Sequence, residues 1–338
     1  MTAPLRFRSD GTLTILQLTD LHERAEADPR TAAFLAAVLD DLCPDLVVLT
    51  GDLVDSDLRT EPSLRQALDH VVGPADERGL PWLVALGNHD EDHTFATGVD
   101  GAGLLALCRA YPHNLNQPGP EGVTGVGNMH AVVLGAGGQP AFNVWALDAG
   151  RAAPEVLGGQ VLADDLLLGW GWMPRWDWIR QDQVAWYAAT SARLERAHGK
   201  KLPSLMFLHV PLHEHRQMWE RDAARRAGAA GGAAPQHGVT GERNEDECVG
   251  AFNGGLFAAA LGRGDVLGIF VGHDHVNDYQ GDYFGVRLGF AANAGFAPYG
   301  LGGEDDHRLR GARLFQVDER DPWRFTSRMI RASQYGIR

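Results

Sequence analysis

The chain has 338 residues, is 44% hydrophobic, and carries 44 acidic against 30 basic residues for a formal net charge of −14. That length suits one large or two ordinary domains with a sizeable core. The acidity excludes a scaffold that coats nucleic acid or anionic membrane, both of which need a basic footprint. Only two of the basic residues are lysines, Lys200 and Lys201, and no basic patch forms. No apolar run approaches the ~18 residues of a membrane span, and residues 1–8 lack the apolar stretch of a signal peptide. Cys43, Cys108 and Cys248 are too few and too scattered for a disulfide framework or a cysteine zinc site, and read as inert thiols. The expectation is a cytoplasmic protein of enzyme size.

Residues 12–19 alternate apolar and polar, which predicts a half-buried strand. Residues 31–42 place Ala, Leu and Phe at helical spacing, and Pro44 closes the helix. Residues 46–50 and 82–86 are short apolar runs that read as buried strands, with a helix over 64–78 between them and Gly79 just past its end. This β-α-β-α-β order implies parallel pairing with right-handed crossovers. After about Gly122 the pattern changes. Strands are predicted at 129–134 and 142–147, a helix at 181–198, a strand at 204–208, a short helix ending over 256–261, and a strand at 266–271. Residues 279–330 are mostly strand-like, and no internal repeat is visible. Two segments read as long loops. One covers 150–175, with Trp170 and Trp172 inside it and Trp176 and Trp178 just beyond; the other is the Ala/Gly/Arg-rich stretch 223–241. In so acidic a chain the tryptophans read as packing against the core, not as a base-stacking platform.

Each predicted buried strand ends in residues that strands rarely carry. Asp20 and His22 follow the first, Gly51-Asp52 the second, and Gly87-Asn88-His89-Asp90 the third. His209 follows the strand at 204–208, and Gly272-His273-Asp274-His275 the strand at 266–271. Open α/β sheets gather ligands outside the carboxyl ends of their strands, so five such ends point into one crevice. Asp20 and His22 stand two apart, as do His273 and His275, and in extended chain each pair faces one way. Carboxylate oxygen mixed with imidazole nitrogen suits Zn, Fe or Mn. Seven candidate ligands are too many for one ion and fit two that share a bridging carboxylate. Taken singly, an Asp-x-His is commonly a cap and a Gly-Asp a turn; the ordered combination is what decides.

The order Asp20-x-His22, Gly51-Asp52, Gly87-Asn88-His89-Asp90, His209, Gly272-His273-x-His275 resembles the calcineurin-like metallophosphoesterase superfamily over roughly residues 12–275. Asp177-Trp178-Ile179 with Gln183 and Trp186, Leu208-His209-Val210-Pro211-Leu212, and Gly272 through Asp278 resemble the Dcr2-like and plant purple-acid-phosphatase-28/29-like phosphatases. The resemblance implies an α/β fold in a single domain: two sheets packed as a sandwich and flanked by helices. It implies Asp20, His22, Asp52 and His275 on one metal, and Asp52, Asn88, His209 and His273 on the other, with Asp52 bridging. His89 then faces the substrate and Asp90 helps orient it. His213 and Glu214, soon after His209, are candidates for the rim. The implied cofactors are two divalent or mixed-valence ions of Mn, Fe or Zn. The implied reaction is hydrolysis of a phosphomonoester, in a small molecule or a protein, by hydroxide formed at the metal pair. A phosphodiesterase, including the cyclic-nucleotide type, shares this ligand set, and a non-catalytic metal-binding scaffold is the rival of another class. In true purple acid phosphatases a tyrosinate ligand stands three residues after the bridging Asp; here Asp55 does.

Overall fold

The computed structural model describes residues 4–162, 176–228, 237–302 and 308–338. Trp170, Trp172 and the rest of residues 163–175 fall outside them. The first half follows the expected alternation: β1 (Thr12–Leu18), α1 (Pro29–Leu42), β2 (Leu46–Leu49), α2 (Glu61–Asp76) and β3 (Trp82–Val84). α1 ends at Leu42, two residues before Pro44; Cys43 between them adopts a left-handed conformation and its N–H returns to Leu39 O. α2 begins three residues before the predicted Leu64, because Thr60 and Ser63 cap each other reciprocally. Two short helices, α3 (Thr94–Thr97) and α4 (Gly101–Cys108), follow.

The second half supplies β4 (Met129–Leu134), β5 (Pro140–Ala146), the small hairpin β6 (Val156–Leu157) and β7 (Gln160–Val161), α5 (Gln181–His198) and β8 (Ser204–Phe207). Then come α6 (His213–Gly228), α7 (Leu256–Arg263), β9 (Val266–Val271), β10 (Gln280–Tyr283), β11 (Val286–Phe290), β12 (Gly311–Asp318) and β13 (Phe325–Arg331). α6 corrects the loop expected from residue 223, since its backbone stays helical to Gly228. Alanine and arginine are good helix formers, and composition alone hid the helix.

The strands form two main sheets, ordered β13-β12-β1-β2-β3 and β10-β11-β9-β8-β5-β4. β1, β2 and β3 run parallel in the first sheet, and β5, β8, β9 and β11 in the second. Leu13, Ile15, Val48, Leu83, Phe207, Phe270 and Phe315 fill the space between the sheets. α1, α2 and α4 cover the outer face of the first sheet through Phe34, Leu68 and Leu104. α5, α6 and α7 cover the second through Tyr187, Met218 and Phe257. β1 is therefore buried on both faces, not half-buried. Its polar Gln17 is 0% exposed and crosses between the sheets, donating to Thr50 Oγ1 (2.9 Å) and Val271 O (3.1 Å). No described helix is long and apolar enough to cross a membrane.

Candidate metal centre

The parallel strands of both sheets deliver their carboxyl ends to one place. β1 is followed by Asp20 and His22, β2 by Asp52, β3 by Asn88, β8 by His209, and β9 by His273 and His275. The backbone there is not extended, which corrects the alternation argument for the Asp20/His22 and His273/His275 pairs. Asp20 (φ 51°), His22 (φ 45°), Asp52 (φ 51°) and His273 (φ 73°) all sit in the left-handed region. Such conformations cost on the order of 1–3 kcal/mol each and persist only where the surroundings hold them. Here Asp20 N–H donates to Gly51 O (3.1 Å) and His22 N–H to Asp52 O (2.9 Å), locking the two strand ends together. The glycines leave room for this: a Cβ on Gly87 would lie 2.2 Å from Asp52 Oδ1, and one on Gly51 would lie 2.4 Å from Gly87 N.

Two groups of donors result. Asp20, His22, Asp52 and His275 each bring one ligand atom within 4.8 Å of the others, and so do Asp52, His209 and His273. Asn88 joins the second group, its Oδ1 lying 2.9 Å from His209 Nε2. That same Nε2 lies 3.2 Å from Asp52 Oδ2 and 3.2 Å from His273 Nδ1. His209 Nδ1 is 2.6 Å from Thr50 O and donates to it, which turns Nε2 toward the three other donor atoms. Asp52 Oδ2 and His22 Nε2 are buried with no hydrogen-bond partner, though they approach to 3.5 Å. Buried lone pairs converging without donors between them are a site for cations.

The electrostatics agree. Burial opposes charge on His209, but the Asp52 carboxylate against it outweighs burial and raises its pKa to about 10. The direction of that shift shows a local field that favours positive charge beside Nε2. Burial pushes His22 down to about 4 and His273 down to about 3, leaving both as neutral imidazoles, the form that binds metal. The donor set fits two transition-metal cations sharing Asp52.

His89 and Asp90 take roles different from each other and, for Asp90, from expectation. Asp90 does not touch the His89 ring. Its Oδ2 accepts from Gly87 N (2.8 Å) and Asp52 N (2.9 Å), and its Oδ1 from Leu53 N (2.7 Å), so it ties the β2 and β3 loops together. Burial first and then the Asp52 charge raise its pKa to about 7. The carboxylate on the His89 ring is Asp92, whose Oδ2 is 2.5 Å from Nδ1. Residue 90 is drawn inward by three backbone N–H groups, and the next turn of the loop brings residue 92 under the ring. Arg151 Nε donates in turn to Asp92 Oδ1 (3.0 Å). The His89 N–H donates to Asp52 Oδ1 (2.8 Å), while its ring lies 5.5 Å from that of His22.

Aromatic residues border the centre. Trp176 stands edge-on to His89 and to His273, at 5.9 and 5.0 Å between ring centroids. Tyr299 stacks flat on His275 at 4.2 Å and donates its hydroxyl to Glu245 Oε2 (2.8 Å). Trp178 instead packs against Phe252. His213 and Glu214 open α6 and bind the loop before α7: His213 Nε2 meets Gly250 O at 2.9 Å, and Asn253 donates to Glu214 Oε1 at 2.8 Å. Neither joins the donor groups. Sequence reasoning missed Asp92, Arg151, Trp176 and Tyr299; only Asp92, three residues past His89, carried a readable signal.

A family model described as calcineurin-like phosphoesterase matches residues 13–277. The chain belongs to that family. This calcineurin-like phosphoesterase is 30% identical to "Probable inactive purple acid phosphatase 14" of Arabidopsis thaliana, over 88% of the chain and 74% of the relative. It is 28% identical to "Probable inactive purple acid phosphatase 29" of the same plant, over 93% and 79%. Against "Phosphatase DCR2" of Saccharomyces cerevisiae it is 26% identical over 81% of the chain, which spans 46% of that longer protein. The fold is similar to that of a dimetal phosphatase from Danio rerio, with a TM-score of 0.55, 16% identity, and coverage of 90% and 95% of the two chains.

Proposed function

We propose that this calcineurin-like phosphoesterase hydrolyses phosphomonoesters with two bound transition-metal ions, Mn, Fe or Zn. The observation that carries the reading is the donor geometry: seven donor residues in two groups that share Asp52, with His89 beside them and outside both. A pair of divalent ions held there supplies charge to clamp phosphoryl oxygens and acidifies water for attack. Asp20 and Asp52 return only two negative charges against the four of such a pair, so the centre attracts a phosphoester despite the acidic chain. Asp92 holds Nδ1 of His89, which leaves the other ring nitrogen to meet the substrate. There it stabilises charge on the phosphoryl group or protonates the leaving alkoxide. Trp176 and Tyr299 pack against the histidines of the centre. Small-molecule and protein phosphoesters both remain within this reading.

One fact favours a second reading, a metal-binding protein without turnover: plant relatives carry "probable inactive" in their names. Against it stands the complete donor set together with a positioned His89, which a pure scaffold does not need. The deciding experiment is turnover of para-nitrophenyl phosphate beside bis-para-nitrophenyl phosphate with Mn, Fe, Zn and Mg in turn. Faster hydrolysis of the monoester is expected. Faster hydrolysis of the diester moves the reading to a phosphodiesterase, and no turnover with any metal moves it to the scaffold.

A further inference from the structure

A third group of donors adjoins the pair, on the far side of His273. Cys248 lies in the loop before α7; its N–H donates to Asp274 Oδ1 at 3.1 Å and its thiol to Asp246 O at 3.7 Å. One ligand atom each from Cys248, His273 and Asp274 lies within 4.8 Å of the other two. Asp274 is 1% exposed and His273 8%, yet Asp274 Oδ2 and His273 Nε2 have no hydrogen-bond partner. Buried polar atoms are normally satisfied, so two orphans beside one thiol call for an occupant.

The surroundings say which kind. Glu245 and Glu247 flank the group, and Glu247 is wholly buried. Arg216, whose field reaches Cys248, and Arg243 are both tied to Glu247, at 3.6 and 2.8 Å, which leaves the carboxylates of Glu245 and Asp274 to set the local sign. The local balance therefore favours a cation over an anion. Thiolate, imidazole and carboxylate together suit a borderline-soft ion, and three protein ligands leave one position open for a fourth.

We propose that Cys248 Sγ, His273 Nε2 and Asp274 Oδ2 form a third cation site, taking a thiophilic divalent ion of the zinc class. The site shares its imidazole with the metal pair. His273 Nδ1 faces His209 Nε2 at 3.2 Å, on the side of the pair, and Nε2 is the ring's other nitrogen. Filling the third site releases the thiol proton to solvent and shifts the single proton of the neutral ring from Nε2 to Nδ1. A ring that retains one proton serves only one side, so excess zinc competes with the pair for His273 and slows turnover. This competition rests on the reading of His273 as a ligand of the pair.

Cobalt(II) titration of the full chain tests the site, because a thiolate ligand adds a sulfur-to-cobalt charge-transfer band in the near ultraviolet. The pair has no sulfur donor and gives none. Expected is a band in the unaltered protein that survives Cys43→Ser and vanishes in Cys248→Ser. Excess zinc should slow the unaltered holoenzyme and lose that effect in Cys248→Ser. No band in the unaltered protein, or a band that persists in Cys248→Ser, overturns the site. Zinc inhibition undiminished in Cys248→Ser overturns the competition. A Cys248→Ser chain holding fewer than two ions, with every donor of the pair intact, overturns the reading of the pair instead.

Discussion

Replacing Asp92 by asparagine keeps the shape of the side chain and removes its charge. The carboxylate holds His89 Nδ1 at 2.5 Å and accepts from Arg151 Nε at 3.0 Å, with a side chain 22% exposed. A hydrogen bond between such charged or polarised groups contributes about 1.5–3 kcal/mol, less where water screens it. If that energy is felt only when His89 meets developing charge, kcat should fall ~10–100-fold, at roughly 1.4 kcal/mol per decade. KM should change little and both metals should stay, because Asp92 is outside both donor groups. The loss should be larger for an alkyl phosphate than for para-nitrophenyl phosphate, whose leaving group departs without a proton. Steady-state kinetics with metal analysis on Asp92→Asn, His89→Ala and the double variant make a cycle. In the His89→Ala background the Asp92→Asn cost should disappear. Additive losses, or metal lost in step with activity, would show that Asp92 acts on the loop and not through His89.

Asp52 faces both donor groups, so Asp52→Asn should weaken both ions, while His22→Ala should chiefly weaken one; metal content after gel filtration distinguishes them. The iron-loaded protein should lack a visible tyrosinate band, since Asp55 is paired with Arg24 at 3.0 Å and Tyr299 lies flat on His275 with its hydroxyl on Glu245. An intense visible band would refute this. Stability should depend on His215, which burial pushes from 6.5 down to about 4. Between those values the unfolded chain binds the proton and the folded chain does not. The contribution is thus complete above pH 6.5 and falls by about 3 kcal/mol as pH drops to 4. Urea unfolding at pH 7 and pH 5 should show a smaller difference in His215→Phe, and an unchanged difference would refute the assignment.

The donors of the metal centre were legible because they follow apolar runs, a placement with no packing purpose. The parallel order of β1, β2 and β3 was legible from the alternation of strand and helix. What escaped has physical reasons. A two-apart spacing reads as extended chain, but Asp20, His22 and His273 turn left-handed, and only the hydrogen bonds between loops show why. Asp90 and Asp92 are equivalent on paper; three backbone N–H groups claim one and leave the other for His89. Arg151 and Tyr299 reach the centre from loops whose course is set by distant strands. Helix α6 hid behind an alanine- and glycine-rich composition shared by loops.

Asp20 and the backbone of His273 meet across 253 residues of sequence. At ribosomal speeds of ~5–20 residues per second, roughly 13–50 s separate the two as the chain emerges. Through that interval Asp20, His22 and Asp52 stand ready while the histidines after β8 and β9 have yet to be made. Neither donor group closes until β9 has been made, because one needs His275 and the other His273. A chain released before β9 holds Asp20, His22, Asp52, Asn88 and His209 but lacks His273 and His275, so it carries both donor groups in part and completes neither.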